Sequence, residues 1–104
     1  MVLPLKAEVK WHEKLMNEKN IKTIKPKIKE FELLFIEADK AEKEQRFEDL
    51  LQIRREILEK VKTYFGEDHK LAGFANLHLG STYRNLAEFK NAEIHYLKSI
   101  EIFS

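Results

Sequence analysis

The strongest constraint in this sequence is that it repeats itself. A shift of 42 residues carries Phe47 onto Phe89, Leu50 onto Ala92, Ile57 onto Ser99, Leu58 onto Ile100 and Val61 onto Phe103. The same shift carries Ala38 onto Gly80 and Ala41 onto Tyr83. A period of this size predicts two helix pairs of one design, because a single pair cannot bury its apolar face alone and needs a neighbour stacked on it.

Apolar spacing predicts four or five helical segments. In the first, from about Leu5 to Asn20, the residues Leu5, Val9, His12, Leu15 and Met16 lie near one stripe, with Trp11 beside it. Pro26 allows a new helix start, since a first turn does not use the missing N–H. The second segment then runs to about Gln45, with Ile28, Phe31, Leu34, Phe35, Ala38 and Ala41 recurring at three and four residues. The third spans Phe47 to about Phe65, with Leu50, Leu51, Ile57, Leu58, Val61 and Tyr64 on its apolar side. Gly66 follows, where a left-handed residue commonly closes a helix, and Asp68 is a good N-cap for the fourth segment, His69 to about Asn85. The fifth covers Phe89 to Phe103, and its inward face is expected to hold Phe89, Ala92, Tyr96, Ser99, Ile100 and Phe103. No stretch alternates with period two, and three Gly with two Pro are too few for the tight turns of an all-β fold. The fold class is therefore all-α: a right-handed stack of two helix-turn-helix repeats, residues 26–67 and 68–104, behind a basic N-terminal helix over residues 1–25.

The second pair resembles a tetratricopeptide repeat. Leu79-Gly80 precedes Tyr83, and Phe89, Ala92, Tyr96 and Ser99 follow at the family's spacing. In that family small residues let two helices approach while large aromatics fill the space between them. The resemblance implies that Gly80, Ala92 and Ser99 are the small set, and Tyr83, Phe89 and Tyr96 the large set. The stretch Gly66-Glu67-Asp68-His69 is similar to the turn of the longer-period repeats of kinesin light chains, at the same distance from the Tyr. Leu77 and His78 stand where those repeats carry an Asn pair.

The resemblance implies a non-enzymatic module that binds a protein, either a peptide or a partner helix, in a groove made by the first helix of each pair. Its groove positions fall on Glu32, Phe35, Asp39 and Glu42 in the first repeat and on Phe74, Leu77, Ser81, Arg84 and Asn85 in the second. That mix is apolar with an acidic edge, which suits a basic ligand. The alternative is a structural subunit or fragment of a larger assembly. A repeat stack normally ends in a helix with a polar outer face, whereas the last helix carries Ile94 and Leu97 on another side. Those two residues are expected to be covered by a second copy, a partner subunit, or the N-terminal helix through Trp11 and Leu15.

Little in the sequence points to chemistry. With no Cys, thiolate metal sites, disulfides and cysteine nucleophiles are excluded. His12, His69, His78 and His95 show no i, i+4 metal-site spacing, and there is no glycine-rich phosphate loop, so no metal or cofactor is expected. Gly73 and Gly80 fall inside a predicted helix, where Gly costs about 1 kcal/mol against Ala, and close helix approach is the natural reason for them. The charge is uneven. Residues 1–29 hold eight Lys and three Glu, a balance of +5, against −4 for the rest, which makes up the net +1. A basic arm of this kind can steer an acidic partner or simply be a solvated helix face. Lys10, Lys22, Lys25, Lys27 and Lys29 are available to phosphates, but a pI near 7.9 lies below the strongly basic range of nucleic-acid-binding domains. The longest central apolar run, Leu33 to Ile36, is four residues against the about 20 that span a bilayer. An intracellular, cytoplasmic setting with no membrane contact is the expectation.

Overall fold

A computed structural model describes the backbone of residues 18–104 and the side chains of residues 26–104. The described residues form four α-helices and no strand: α1 Glu18–Lys43, α2 Phe47–Phe65, α3 Lys70–Asn85 and α4 Phe89–Phe103. No helix among them is long and apolar enough to cross a membrane. The chain divides into two units, residues 1–33 and 34–104. The second unit holds the C-terminal part of α1 together with α2, α3 and α4. The first segment expected from the sequence, with Trp11 and Leu15, lies outside the described residues apart from its last three positions.

The connections repeat as the sequence does. Between α1 and α2, Gln45 has a positive φ of 56°, and the Arg46 N–H donates to the Ala41 carbonyl at 2.8 Å. Between α3 and α4, Ala87 has a φ of 60°, and the Glu88 N–H donates to the Tyr83 carbonyl at 2.9 Å. Each residue and each partner lies 42 positions after its counterpart. Left-handed backbone costs an L-residue about 1–2 kcal/mol, offset here by local bonds that cap the helix end: the Gln45 N–H also donates to the Glu42 carbonyl, as the Ala87 N–H does to that of Arg84. Each is held because it closes its first helix while aiming the second back along it.

Buried residues sit where two helices meet. Ala38 and Ala41 of α1 pack with Leu50 of α2, and Phe47 and Ile53 close the edges. Leu58 and Val61 extend the buried side of α2. α3 is buried most completely, through Ala72, Gly73, Ala75, Asn76, Leu79, Gly80, Thr82 and Tyr83, since it packs against both α2 and α4. Its two glycines set the approach of α4. A Cβ added at Gly80 would lie 2.7 Å from two ring carbons of Tyr96, and one at Gly73 would lie 2.7 Å from Cζ of Phe103. Residue 80 meets residue 96 while residue 73 meets residue 103, so α3 and α4 run antiparallel. Close approach is thus the reason for both mid-helix glycines.

Three expectations are corrected. A helix does not start at Pro26. α1 runs through it from Glu18, although an interior proline forfeits one hydrogen bond and crowds the carbonyl four residues earlier. The N-cap of α3 is His69, not Asp68. Its Nδ1 accepts the Leu71 N–H at 3.1 Å while its ring lies 5.1 Å from that of Phe65, and Asp68 instead lies 3.6 Å from Lys98. The inward face of α4 is narrower than its apolar spacing suggests. Ala92 and Ser99 are buried and Tyr96 is partly so, but Phe89, Ile100 and Phe103 are exposed. Among the described residues α4 has α3 on one side, so Phe89 and Ile100 are left uncovered, while Phe103 rests on Gly73 and Phe74 yet stays half exposed at the helix end. In α1, Ile28 and Phe35 are likewise exposed although they fall on its apolar spacing.

Candidate functional site

The residues that the resemblance assigns to a groove fall into different settings. Phe35 on α1 and Phe74 and Leu77 on α3 keep large apolar surfaces exposed. Asp39 is well exposed, 3.7 Å from Lys43 one turn on. Arg84 and Asn85 are exposed at the end of α3. Phe74 also packs edge-on against Phe103, with ring centroids 5.0 Å apart, so it belongs equally to the α3–α4 joint. Ser81 turns to that joint too, where the Tyr96 hydroxyl donates to its oxygen at 3.3 Å. Glu32 is exposed and lies in the first unit.

Glu42 is not a free acidic rim residue. Arg54 of α2 donates to its carboxylate at 3.1 Å, and the Arg54 side chain is only 13% exposed. Its Nε is buried without a hydrogen-bond partner. Burial lowers the Arg54 pKa, and Glu42 and Asp39 oppose that. A buried guanidinium is tolerable only when a carboxylate compensates it, so Glu42 mainly holds α1 to α2. Of the other two acids expected there, Asp39 lies within ion-pair distance of Lys43 and Glu32 is exposed.

A second polar chain crosses α2, α3 and α4. Nε and one terminal nitrogen of Arg55 donate to the Tyr83 hydroxyl, at 3.1 and 2.6 Å. The Tyr83 ring stacks on His95 at 5.4 Å. His95 Nδ1 lies 2.8 Å from Oδ1 of Asn76, whose amide nitrogen donates to the Ala72 carbonyl at 2.8 Å. Because Asn76 presents its oxygen, Nδ1 of His95 carries the proton and Nε2 is left as the acceptor. His95 and Asn76 also line an open depression of about 460 Å³ with Lys62, Lys98, Ile94 and Leu97 on its walls. The expected interface residues Ile94 and Leu97 are both exposed there. No residue pattern in the sequence marks this chain, since Asn76 and His95 stand on different helices and meet only when α4 folds back.

Burial lowers the His95 pKa, and Lys62 and Arg55 lower it further. Burial and Arg54 lower that of His78 as well, against the pull of Glu42, although His78 keeps much of its surface exposed. A histidine whose folded pKa lies below its unfolded value near 6.5 binds its proton more readily in the unfolded chain. Stability is therefore full above that value and falls as pH drops through the lower, folded value. Urea midpoints are expected to decline on acidification below about pH 6.5, and His95→Gln should make the decline shallower. An identical decline in the variant would mean that His95 plays no part.

Among the described residues no three His, Cys, Asp or Glu side chains gather closely enough to hold a metal ion. Comparison with known proteins adds nothing to this geometry: no family model, no curated protein and no solved structure matches the chain.

Proposed function

We propose that the chain is a non-enzymatic protein-binding module, a pair of tetratricopeptide-like repeats that takes a peptide or partner helix against α1 and α3. Three features support this reading: the recurrence of one inter-helix turn after 42 residues, the packing of Gly80 on Tyr96, and the resemblance of residues 66–103. The observation that carries it is the exposure of Phe35, Phe74 and Leu77 at positions the resemblance assigns to the groove. Apolar side chains of that size are interface anchors when a partner buries them. Asp39 adds a negative edge, so a basic amphipathic peptide is the best match.

A panel of basic amphipathic peptides, titrated against the protein, tests the groove. Phe74→Ala should weaken a binding peptide by more than about 1 kcal/mol. Asp39→Lys should slow association and flatten its salt dependence, as rim charges do. If both variants bind as the wild type does, the groove is misassigned.

The face of α4 supports a second reading, self-association. Phe89, Ile94, Leu97, Ile100 and Phe103 are all exposed on this one helix. Fully burying such a side chain contributes about 1.5–3 kcal/mol, and at 45–66% exposure about half of that is left unrealised at each position.

A further inference from the structure

The side of α4 that packs is marked by Ala92 and Ser99, each 3% exposed. Half a turn round the helix, at about 100° per residue, lie Lys90, Ile94, Leu97 and Glu101. Their spacing of four, three and four residues sets them in one stripe along the helix. All four are exposed, Ile94 at 62% and Leu97 at 56%. Phe89 and Ile100 stand about a quarter turn to one side, so Ile94 and Leu97 are the apolar centre of the stripe, and Lys90 and Glu101 are its charged ends.

This stripe is its own complement when reversed. Turned end for end about the midpoint between His95 and Tyr96, α4 brings Ile94 onto Leu97, Lys90 onto Glu101 and, on the flanks, Glu93 onto Lys98. The centre of such a pair is apolar, and opposite charges meet at both ends. Laid parallel to itself in register, the same helix sets Lys90 on Lys90 and Glu101 on Glu101, which like-charge repulsion opposes. Within its own chain Lys98 lies 3.9 Å from Glu101 and 3.6 Å from Asp68. Exposed pairs of this kind are weak, and the Glu101 side chain stays 73% exposed, so its carboxylate can accept a second cation.

We propose that this stripe is a two-fold interface on which α4 of a second copy of the chain packs antiparallel, with Ile94 against Leu97 at the centre and Lys90 against Glu101 at each end. This rests on the self-association reading and specifies its geometry. Both copies use the same patch, so the contact closes at the dimer. One stripe on one helix is a small interface, and the dimer is accordingly weak and concentration-dependent.

Sedimentation velocity of the full chain from micromolar to near-millimolar concentration tests it. The average mass should rise and level off at the dimer. Lys90→Glu and Glu101→Lys each set like charges at both ends, and each should weaken the dimer about tenfold. Both positions are exposed, so the helical circular dichroism should be unchanged. Carrying both changes in one chain, or mixing the two single variants equally, puts opposite charges back at both ends and should restore the dimer. Ile94→Lys should leave a monomer, whereas Ile100→Lys, off the stripe, should dimerise as the wild type does. A dimer indifferent to the charge reversals, or one lost through Ile100→Lys instead, would overturn the α4 stripe and leave self-association standing. Single variants that weaken without recovery in the double variant or the mixture would overturn the antiparallel register, and growth past the dimer would overturn two-fold closure. A wild-type chain that stays monomeric throughout would overturn self-association and this interface with it.

Discussion

Leu79→Ala is expected to lower the unfolding free energy by about 2–5 kcal/mol. Leu79 is 1% exposed and sits on the one helix that packs against both α2 and α4. Truncating it removes three carbons from an enclosed site on a helix with a neighbour on each of two sides, so the gap closes only if packed helices shift. The cost is therefore the transfer energy of the lost atoms plus that of a cavity. Small domains hold about 5–15 kcal/mol in total, so the change consumes a large share of the stability. Urea unfolding followed by circular dichroism measures it, with Leu71→Ala as the control. Leu71 is on the same helix but exposed, and its truncation should stay within about 0.5 kcal/mol. Equal losses in the two variants would show that α3 is not the central packed element.

Gly80→Leu should cost about 1–3 kcal/mol or more, through overpacking instead of a cavity. A bare Cβ at this position already lies 2.7 Å from Cδ1 and Cε1 of Tyr96 and 3.1 Å from Cγ. Cγ lies on the axis about which the ring turns, so a rotation moves the Cδ1–Cε1 edge but leaves the 3.1 Å contact in place. The ring is further held by its hydroxyl on Ser81. α4 must then move away from α3, which would also loosen Phe103 over Gly73. A smaller loss is expected when Gly80→Leu is combined with Tyr96→Ala, because the cavity and the added side chain partly compensate. A Gly80→Leu protein that melts with the wild type would mean that α3 and α4 do not meet in this register.

Much of the fold was legible from spacing alone. The spans of α2 and α4, residues 47–65 and 89–103, are those that the apolar period predicts, because a helix that buries one side must repeat its apolar residues at three and four. The glycines at 73 and 80 were readable as points of close approach, since a helix interior otherwise disfavours them. The 42-residue shift was readable too, and the two left-handed turns at Gln45 and Ala87 keep it. Neither residue announces such a turn, because the residue usual at a left-handed helix end is Gly or Asn.

What spacing could not supply was which apolar positions have a neighbour. Leu58 and Ile100 are equivalent in the sequence, yet one is buried and the other exposed, because burial depends on how many helices surround a position and not on the helix it occupies. The groove met the same limit. Glu42 reads as a free acid until Arg54, twelve residues on, turns back to neutralise it. Asn76, Tyr83 and His95 read as separate polar residues until α4 lies against α3 and joins them in one chain. Local geometry and side-chain size are written into the order of residues, so the spans of α2 and α4, the 42-residue period and the close contacts at Gly73 and Gly80 were legible, while the start of α1 was not. Charge pairing, the lowered pKa values of His78 and His95 and the exposure of Ile100 were not legible, since each depends on groups brought together from different helices.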